Sequence, residues 1–345
     1  MGRTHGGDWY GFLRETGREP LDFSASLSPL GMPPGAERAA AAALKYADRY
    51  PDPECRRLKE RLGEHLGVPA EEILCGAGAA ELIWRLALAL GPGRAVIPQP
   101  TFSEYGLALR KCFWQAEDLP MENLELGRDL PGRLEGDLLV LCLPNNPTGL
   151  VPDRGLLEAL LGACREKGIL VAADQCFVEF CPEADLLPLT AEFENLLVFR
   201  AFTKFYGLAG LRLGYCVSSD RGLLRRMAES GPPWSVSVPA QEAGIAALED
   251  RDYAARLLAL METERPRLQE ALEDFGFRVL PGRANFLLFE TGLPELGDRL
   301  RDRGILLRDC RDFPGLGPGW YRTAVRTRGD NDRLLQAIRE VLSWP

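Results

Sequence analysis

The sequence predicts an α/β fold in which a large domain built on a mainly parallel sheet is joined by a smaller α+β domain. From about residue 54, segments with helical periodicity alternate with short apolar runs, as in strands connected by helices. Five of these runs are almost entirely apolar, which is typical of strands buried in a parallel sheet. They are residues 94–97, 137–143, 169–173, 196–199 and 213–217. With 345 residues, the chain exceeds the roughly 250–300 residues at which single cores stop growing, so two unequal domains are expected.

The C-terminal third of the sequence predicts the smaller domain. Its expected elements are a helix over 252–275 that contains Pro266, a strand over 285–289, a helix over 293–303, strands over 304–307 and 321–325, and a helix over 331–342. The first thirty residues predict an arm that joins this unit. We therefore expect an N-terminal arm at 1–35, a large domain at 36–230 and a small domain at 231–345.

Composition argues against several classes of partner and site. The formal net charge of -9 argues against binding to nucleic acid or to an anionic membrane, because both require a cationic face. The nine cysteines are scattered without a CxxC pair, which favours reduced thiols in the cytoplasm over zinc or redox chemistry. No apolar run approaches the roughly 18–20 residues that span a bilayer, so we expect neither export nor a membrane anchor.

Four features that suit one chemistry occur in order along the predicted large domain. They are the Pro-Asn-Asn-Pro-Thr-Gly turn containing Asn146, Asp174 at the end of a predicted strand, the Thr-Lys pair ending at Lys204, and the Gly-Leu-Arg-Leu-Gly-Tyr segment containing Arg212. Each is common on its own, as a turn, a strand end or a surface residue. Together, in this order and on a consistent α/β pattern, they indicate one site.

This arrangement resembles the fold-type I enzymes that depend on pyridoxal 5′-phosphate (PLP), and the resemblance covers nearly the whole chain. It implies a mainly parallel seven-stranded sheet in the large domain and PLP as the cofactor. In the resemblance, Lys204 holds PLP as a Schiff base and Asp174 keeps the pyridine nitrogen protonated. Asn146 contacts the phenolate of PLP, and Arg212 contacts its phosphate.

The resemblance places the PLP phosphate at the start of the predicted helix over 79–90. Backbone N–H groups of Gly78, Ala79 and Ala80, together with the helix dipole, attract an anion at that end. Thr203 and Arg212 complete this phosphate cup. Ala79 and Ala80 stand where relatives carry acidic and hydroxyl residues, so we expect the cup to depend mainly on backbone donors.

Three aromatic residues complete the expected cofactor site. Phe102 covers the pyridine ring in the resemblance. Phe177 stands where aminotransferases carry a tyrosine that hydrogen-bonds the PLP phenolate, and a phenylalanine there is consistent with a decarboxylase branch. Tyr50 reaches the cofactor phosphate of a neighbouring subunit, which implies a homodimer.

Further motifs are similar to those of the threonine-phosphate decarboxylases, a cobalamin-pathway branch of these enzymes. They are the segments 5–7, 22–25, 29–31, 203–206, 233–236, 281–285 and 321–322. A substrate that carries a carboxylate and a phosphate needs two separate anion sites, which arginine forks provide best. Arg322 resembles the carboxylate site and Arg308 the phosphate site, while His5 and Ser28 add phosphate contacts from the arm.

We therefore expect PLP-dependent decarboxylation of L-threonine O-3-phosphate. Ser28 replaces an expected asparagine, and phosphoserine differs by one methyl group, worth about 1–3 kcal/mol, so both substrates stay open. An aminotransferase acting on histidinol phosphate or an aromatic amino acid is the alternative enzyme. A PLP-binding regulatory domain without turnover is the alternative from another class, and such proteins need an attached DNA-binding module.

Overall fold

The computed structural model of the chain describes residues 6–343. The helices are α1 (Trp9–Thr16), α2 (Pro34–Ala43), α3 (Arg56–Leu66), α4 (Ala79–Leu90), α5 (Glu104–Lys111), α6 (Leu130–Arg133), α7 (Arg154–Glu166), α8 (Arg221–Glu229), α9 (Val238–Glu249), α10 (Arg251–Asp274), α11 (Leu296–Asp302) and α12 (Arg328–Leu342). The strands are β1 (Leu21–Asp22), β2 (Ile73–Gly76), β3 (Arg94–Gln99), β4 (Gln115–Pro120), β5 (Leu138–Cys142), β6 (Leu170–Asp174), β7 (Leu196–Ala201), β8 (Gly214–Val217), β9 (Arg278–Val279), β10 (Phe286–Glu290), β11 (Ile305–Leu306), β12 (Arg308–Asp309) and β13 (Trp320–Ala324).

Seven strands form the large sheet, in the order β2-β8-β7-β6-β5-β3-β4. β8 runs antiparallel to both of its neighbours, and every other neighbouring pair is parallel. The predicted mainly parallel sheet is therefore confirmed. The five predicted apolar runs became β3, β5, β6, β7 and β8, whereas β2 and β4 at the two edges were not identified in the sequence as strands.

Helices cover both faces of this sheet, as the alternating pattern predicted. On one face, α4 buries Leu82 and Leu86 in the same cluster as Leu197 of β7, together with side chains of α5 and α8. On the other face, α7 buries Leu157 and Leu160 against β5, β6 and β7. Each such buried leucine stabilises the fold by roughly 1.5–3 kcal/mol, so both helix layers stabilise the sheet.

A four-stranded antiparallel sheet of order β12-β13-β10-β9 forms the centre of the C-terminal unit. The arm joins this unit through β1, which pairs in parallel with β11 at Leu21 and Ile305. α10 contains Pro266 within its span, as expected. α9, which the sequence did not suggest, packs against α2 and α3. The predicted boundary between the large and small domains at residue 230 stays a prediction.

Two further observations concern the chain as a whole. All nine cysteines are buried free thiols. Among residues 6–343, the helices include none with the length and apolar character that a membrane span requires.

Candidate active site

The carboxyl ends of three neighbouring strands bring the predicted cofactor residues together. Asn146 follows β5 by four residues, Asp174 is the last residue of β6, and Lys204 follows β7 by three residues. In the register of the sheet, Cys142 at the end of β5 lies opposite Asp174. Because parallel strands end at the same edge, residues distant in the sequence share one site there.

Lys204 lies half-buried in the turn after β7. Its Nζ atom is 5.7 Å from the centre of the Phe177 ring. The pKa of Lys204 is lowered to about 8, mainly by burial and in addition by the cationic side chains of Arg322 and Arg212, whereas Asp174 opposes the change. A lysine with this pKa is partly neutral at physiological pH, which an amine needs in order to act as a nucleophile.

Asp174 is buried, and both of its carboxylate oxygens accept a hydrogen bond. The Tyr105 hydroxyl donates to Oδ2 at 2.6 Å, and the backbone N–H of Cys176 donates to Oδ1 at 2.9 Å. Burial and the neighbouring carboxylate hold the pKa of Tyr105 well above its ordinary value, so the hydroxyl keeps its proton and remains a donor. The carboxylate is thereby fixed in one orientation at the strand end.

The turn after β5 is held by Asn145, which leaves the next residue to face the site. The Asn145 amide donates to the Pro100 carbonyl at 2.9 Å and to Thr148 Oγ1 at 3.0 Å, and its oxygen accepts from Thr101 at 2.8 Å. Asn146 instead accepts a hydrogen bond from Nη1 of Arg322 on β13. The two asparagines of the motif therefore have different roles. Asn145 holds the turn, whereas Asn146 contacts Arg322 of the small domain.

The start of α4 and the side chain of Arg212 form the predicted phosphate cup. Gly78 is the N-cap residue of α4 and has φ of 86°. Because it is a glycine, it provides no side-chain hydrogen bond to the first turn of the helix. A Cβ atom at this glycine would lie 2.7 Å from Nη2 of Arg212, so glycine leaves room between the helix start and the guanidinium. Arg212 itself has φ of 57°, a left-handed conformation that costs a non-glycine residue about 1–3 kcal/mol and is concentrated at functional sites.

The other predicted cup residues lie around these two. Ala79 is buried and Ala80 is half-buried in the first turn of α4, while half-buried Thr203 immediately precedes Lys204. A helix start under a guanidinium suits an anion, because backbone N–H groups and the positive end of the helix dipole point outward there.

Phe102 and Phe177, which were predicted for the cofactor site, each pack against another aromatic ring. Phe102 packs edge-on against Tyr105, with ring centres 5.5 Å apart. Phe177 is buried and packs edge-on against Phe286 of β10, with ring centres 5.0 Å apart. Phe177 therefore sits between the Lys204 amine and the small domain, and it offers the site an apolar surface.

Arg322 on β13 is a buried cation, and it lies where this strand meets the N-terminal arm and the turn after β5. Besides its bond to Asn146, it donates to the Ser24 carbonyl at 3.0 Å and lies 5.1 Å above the Phe286 ring. Its Nε atom is buried without a hydrogen-bond partner among the described residues. Burial lowers the pKa of Arg322 to about 10, which leaves the guanidinium charged at neutral pH.

Arg308 lies on β12 directly opposite Arg322, so the two side chains share a face of the small sheet. It is buried, and its Nη2 atom donates to both carboxylate oxygens of Asp312, at 2.9 and 2.8 Å. The Phe313 ring lies 5.1 Å from its guanidinium carbon. Two cations that face each other repel, and Asp312 partly neutralises this pair.

The remaining predicted residues occupy different environments. Ser28 is buried, its N–H donates to the Lys204 carbonyl at 2.9 Å, and its hydroxyl accepts from Tyr253 at 2.5 Å. Tyr50 is 78% exposed and stacks on Trp234 with ring centres 4.5 Å apart, so within one chain it faces solvent. His5 lies outside the described residues.

Sequence reasoning did not identify three residues that complete the site. Tyr105 binds Asp174, Tyr253 binds Ser28, and Asp312 binds Arg308. For Tyr105 a signal existed, since it lies only three residues after the predicted cofactor residue Phe102, in the first turn of α5. The partner of Tyr253 is 225 positions away, so no local pattern reveals it.

Comparison with known proteins agrees with this geometry. The sequence profile of the family Aminotransferase class I and II matches residues 20–338. The chain is 39% identical to the threonine-phosphate decarboxylase of Salmonella typhimurium, over 99% of this chain and 97% of that protein. It is 36% identical to the histidinol-phosphate aminotransferase of Symbiobacterium thermophilum, over 95% of this chain and 92% of that protein. Among solved structures, the histidinol-phosphate aminotransferase of Sinorhizobium meliloti in complex with pyridoxal 5′-phosphate is similar, with a TM-score of 0.87, 26% identity, and coverage of 96% of this chain and 95% of that chain.

Proposed function

The chain belongs to the aminotransferase class I and II family, and from that premise we propose that it decarboxylates L-threonine O-3-phosphate to (R)-1-amino-2-propanol O-2-phosphate. The observation that carries this proposal is the pair of buried arginines, Arg308 and Arg322, on neighbouring strands. Phosphothreonine has a carboxylate and a phosphate, and each needs its own cationic partner when it leaves water. Similarity to the Salmonella protein supports the same reaction.

Pyridoxal 5′-phosphate is the cofactor of this family and of the chain. When bound, it withdraws electrons from the Cα atom of an amino-acid substrate. The residues present fit it, because they supply a partly neutral amine, a fixed carboxylate and a helix start beneath a guanidinium. In our proposal Lys204 binds its aldehyde carbon and Asp174 faces its pyridine nitrogen. Asn146 faces its phenolate, and Gly78 with Arg212 binds its phosphate.

Arg322 has the central role in selecting the reaction. Decarboxylation breaks the bond between Cα and the carboxylate carbon, carbon dioxide leaves, and the electron pair stays at Cα. That bond must stand perpendicular to the cofactor ring, and a guanidinium fixed by Asn146 and Ser24 holds the carboxylate in one direction. The protonated Lys204 amine then supplies the proton that replaces the carboxylate at Cα.

Arg308 binds the phosphate at the other end of the substrate in this proposal. Ser28 and His5 were predicted to add phosphate contacts, and the hydroxyl of Ser28 is bonded to Tyr253. We propose that phosphoserine is also a substrate, because it keeps both anionic groups. The methyl group it lacks is worth about 1–3 kcal/mol, and we expect phosphothreonine to be preferred accordingly.

We propose that the enzyme is a homodimer in which Tyr50 contacts the cofactor phosphate of the partner subunit. Tyr50 and Trp234 form an exposed aromatic stack, and Leu44 and Tyr46 nearby in the sequence are also exposed apolar side chains. A mixture of inactive Tyr50→Ala and Lys204→Ala chains tests this proposal after subunit exchange. Mixed dimers contain one intact site, so about a quarter of the wild-type activity should return. A mixture that stays inactive although mixed dimers form would contradict the shared site.

An aminotransferase acting on histidinol phosphate is the second candidate, because the Symbiobacterium relative carries that name. Arg308 suits histidinol phosphate as well, while Arg322 would then bind a carboxylate of the 2-oxo acid that accepts the amino group. The two reactions differ in their products. Decarboxylation yields carbon dioxide and consumes no 2-oxo acid, whereas transamination yields glutamate from 2-oxoglutarate and converts PLP to its pyridoxamine form.

The test uses the PLP-loaded protein with phosphothreonine, phosphoserine, or histidinol phosphate plus 2-oxoglutarate. We expect carbon dioxide from both phosphorylated amino acids, with phosphothreonine faster, and little glutamate from histidinol phosphate. Glutamate formation without carbon dioxide would overturn the proposed decarboxylase activity in favour of the second candidate. A colourless protein that binds no PLP would contradict both.

A further inference from the structure

Arg308 already binds a carboxylate of its own chain, at the position we assign to a ligand phosphate. Its Nη2 atom contacts both oxygens of Asp312, and its Nη1 atom donates to the Asp309 carbonyl. We propose that Asp312 is a specificity-determining residue that competes with the ligand phosphate for Arg308. This inference rests on the proposed function, which assigns Arg308 to the phosphate group.

The two partners of this ion pair differ in how much solvent they reach. The side chain of Arg308 is 8% exposed, whereas that of Asp312 is 37% exposed. A buried guanidinium requires an anionic or hydrogen-bonding partner at all times, because an unpaired buried charge is costly. A carboxylate at the surface can leave the pair and be hydrated, so Asp312 is the partner that a ligand displaces.

The pair lines a cavity between β12 and the segment that follows β3. The cavity has a volume of about 150 Å³, enough for several waters or a small anion. Thr101 lines its wall beside Arg308, and the same threonine binds Asn145 and directly precedes Phe102. An anion in this cavity would therefore contact Arg308 and lie beside Thr101, which is bonded to the turn that contains Asn146.

The charges around this cavity cancel while Asp312 stays on Arg308. Arg110 and Asp118 also line it and form an ion pair at 2.5 Å. Two arginines and two aspartates give no net charge, so the closed arrangement attracts a dianion weakly. Movement of Asp312 into solvent leaves an excess positive charge, and a phosphate then takes the Nη2 donor that Asp312 releases.

The backbone after Asp312 permits such a movement. Phe313, which lies on Arg308, is followed by the Pro-Gly-Leu-Gly-Pro-Gly segment over 314–319. Gly315 has φ of 83°, and a Cβ atom there or at Gly317 would meet no other atom within 4 Å. The segment is therefore not packed tightly at these two positions, and the side chain of Asp312 is itself 37% exposed, so it can turn toward solvent.

The consequence concerns selectivity. A ligand without an anionic side chain leaves the pair intact and gains nothing from Arg308. A phosphorylated ligand gains the guanidinium but must displace a carboxylate, which lowers its affinity and speeds its release. Asp312 therefore limits the affinity for the phosphate group, and a repulsive element of this kind is a common way to tune specificity.

The experiment titrates inorganic phosphate into the PLP-loaded enzyme by calorimetry and compares wild type with Asp312→Asn. The amide keeps the size of the side chain and removes its charge, so we expect the dissociation constant of phosphate to fall about tenfold. Asp312→Glu keeps the charge and should bind phosphate as weakly as wild type. In an Arg308→Ala background, Asp312→Asn should have no effect. Asp309→Asn is the matched control, because the Asp309 carboxylate pairs with Arg311.

Unchanged or weaker phosphate binding by Asp312→Asn overturns the proposal, because a residue that only orients Arg308 loses affinity when its charge is removed. The increase in melting temperature on adding phosphate provides a second measure of binding for each variant. It also detects a variant that does not fold. The titration measures binding without turnover. It stays interpretable if the enzyme proves to be an aminotransferase for a phosphorylated substrate, whereas failure of the proposed function appears as an absence of carbon dioxide.

Discussion

The two halves of the candidate site differ in how their charged groups are satisfied. On the cofactor half, the oxygens of Asp174 bind Tyr105 and the Cys176 N–H, both fixed parts of the large domain. On the substrate half, Arg308 binds the half-exposed Asp312. Partners of the first kind hold a group in place, whereas partners of the second kind can be exchanged for a ligand.

This difference separates affinity for the cofactor from selectivity for the substrate. A cofactor that stays bound through many turnovers benefits from a site formed in advance, because no group must move to receive it. A substrate must bind and leave in every cycle, and an arginine with an exchangeable partner, such as Arg308, makes both steps possible. Changes on the cofactor half should therefore affect cofactor retention, and changes on the substrate half should affect substrate affinity.

The largest effect is expected for Lys204→Ala. Removal of the amine removes the covalent attachment of PLP, so the visible absorbance of the bound cofactor and all turnover should disappear. Absorbance spectroscopy after reconstitution and a carbon dioxide assay measure the two outcomes. Lys167→Ala, which replaces a lysine bonded to backbone carbonyls far from the site, is the matched control and should retain both. Persistence of colour or turnover in the Lys204 variant would show that this lysine is misassigned.

The next effect concerns the substrate half. Arg322→Ala should weaken binding of carboxylate-bearing substrates by about 3 kcal/mol, on the order of 100-fold, because the ligand carboxylate is left unpaired in a buried site. Cofactor absorbance should be retained, since Lys204 and both hydrogen bonds to Asp174 are unchanged. The KM for phosphothreonine and the absorbance spectrum together measure this separation. Unchanged affinity would show that Arg322 does not bind the substrate. Loss of the cofactor would show that Arg322 also supports the cofactor half, contrary to the proposed separation.

A smaller effect is expected on the cofactor half from Tyr105→Phe. The change removes one hydrogen bond to a buried carboxylate, worth about 2 kcal/mol, so PLP should dissociate roughly 30-fold more readily. The KM for phosphothreonine, measured with saturating PLP, should change little. Tyr321→Phe is the control, because that hydroxyl binds the Pro294 carbonyl instead. Equal PLP affinity in the two variants would contradict the positioning role of Tyr105.

The smallest effect appears in the pH dependence of cofactor uptake. Burial lowers the pKa of Lys204 to about 8, and only the neutral amine attacks the aldehyde of PLP. The reconstitution rate of the cofactor-free protein should therefore rise about tenfold over about two pH units centred on that pKa and then level off. The control is the reaction of PLP with Nα-acetyl-lysine, in which the side-chain amine is free. The rate of this reaction should keep rising at higher pH. A protein profile like that of the free lysine would contradict the lowered pKa.

The sequence predicts the cofactor half well because its residues lie in short motifs at strand ends. Asn146, Asp174 and Lys204 each follow an apolar run, and the edge of a parallel sheet brings such positions together whatever the lengths of the connecting helices. The helix at 79–90 was identified with its observed bounds because this segment is mostly apolar and too long for a buried strand. Local chemistry and local periodicity are sufficient for this half.

The substrate half and the sheet edges were harder to predict, for physical reasons. β4 carries exposed glutamine, glutamate and aspartate because it lies at an edge, and β2 is only four residues long, so neither shows the apolar run of a buried strand. Asp312 lies four residues after Arg308, but the intervening chain is not helical, and nothing in the sequence indicates that they meet. Their contact depends on the loop conformation, which tertiary packing decides.

Carboxyl-labelled L-threonine O-3-phosphate gives the most direct test of the central claim, when it is incubated with the PLP-loaded enzyme in the absence of any 2-oxo acid. Carbon-13 NMR follows the label. We predict that it appears in bicarbonate at the same rate as aminopropanol phosphate forms, over many turnovers of each active site. A label that stays in the amino acid, or moves into a 2-oxo acid once 2-oxoglutarate is added, would contradict the decarboxylase assignment.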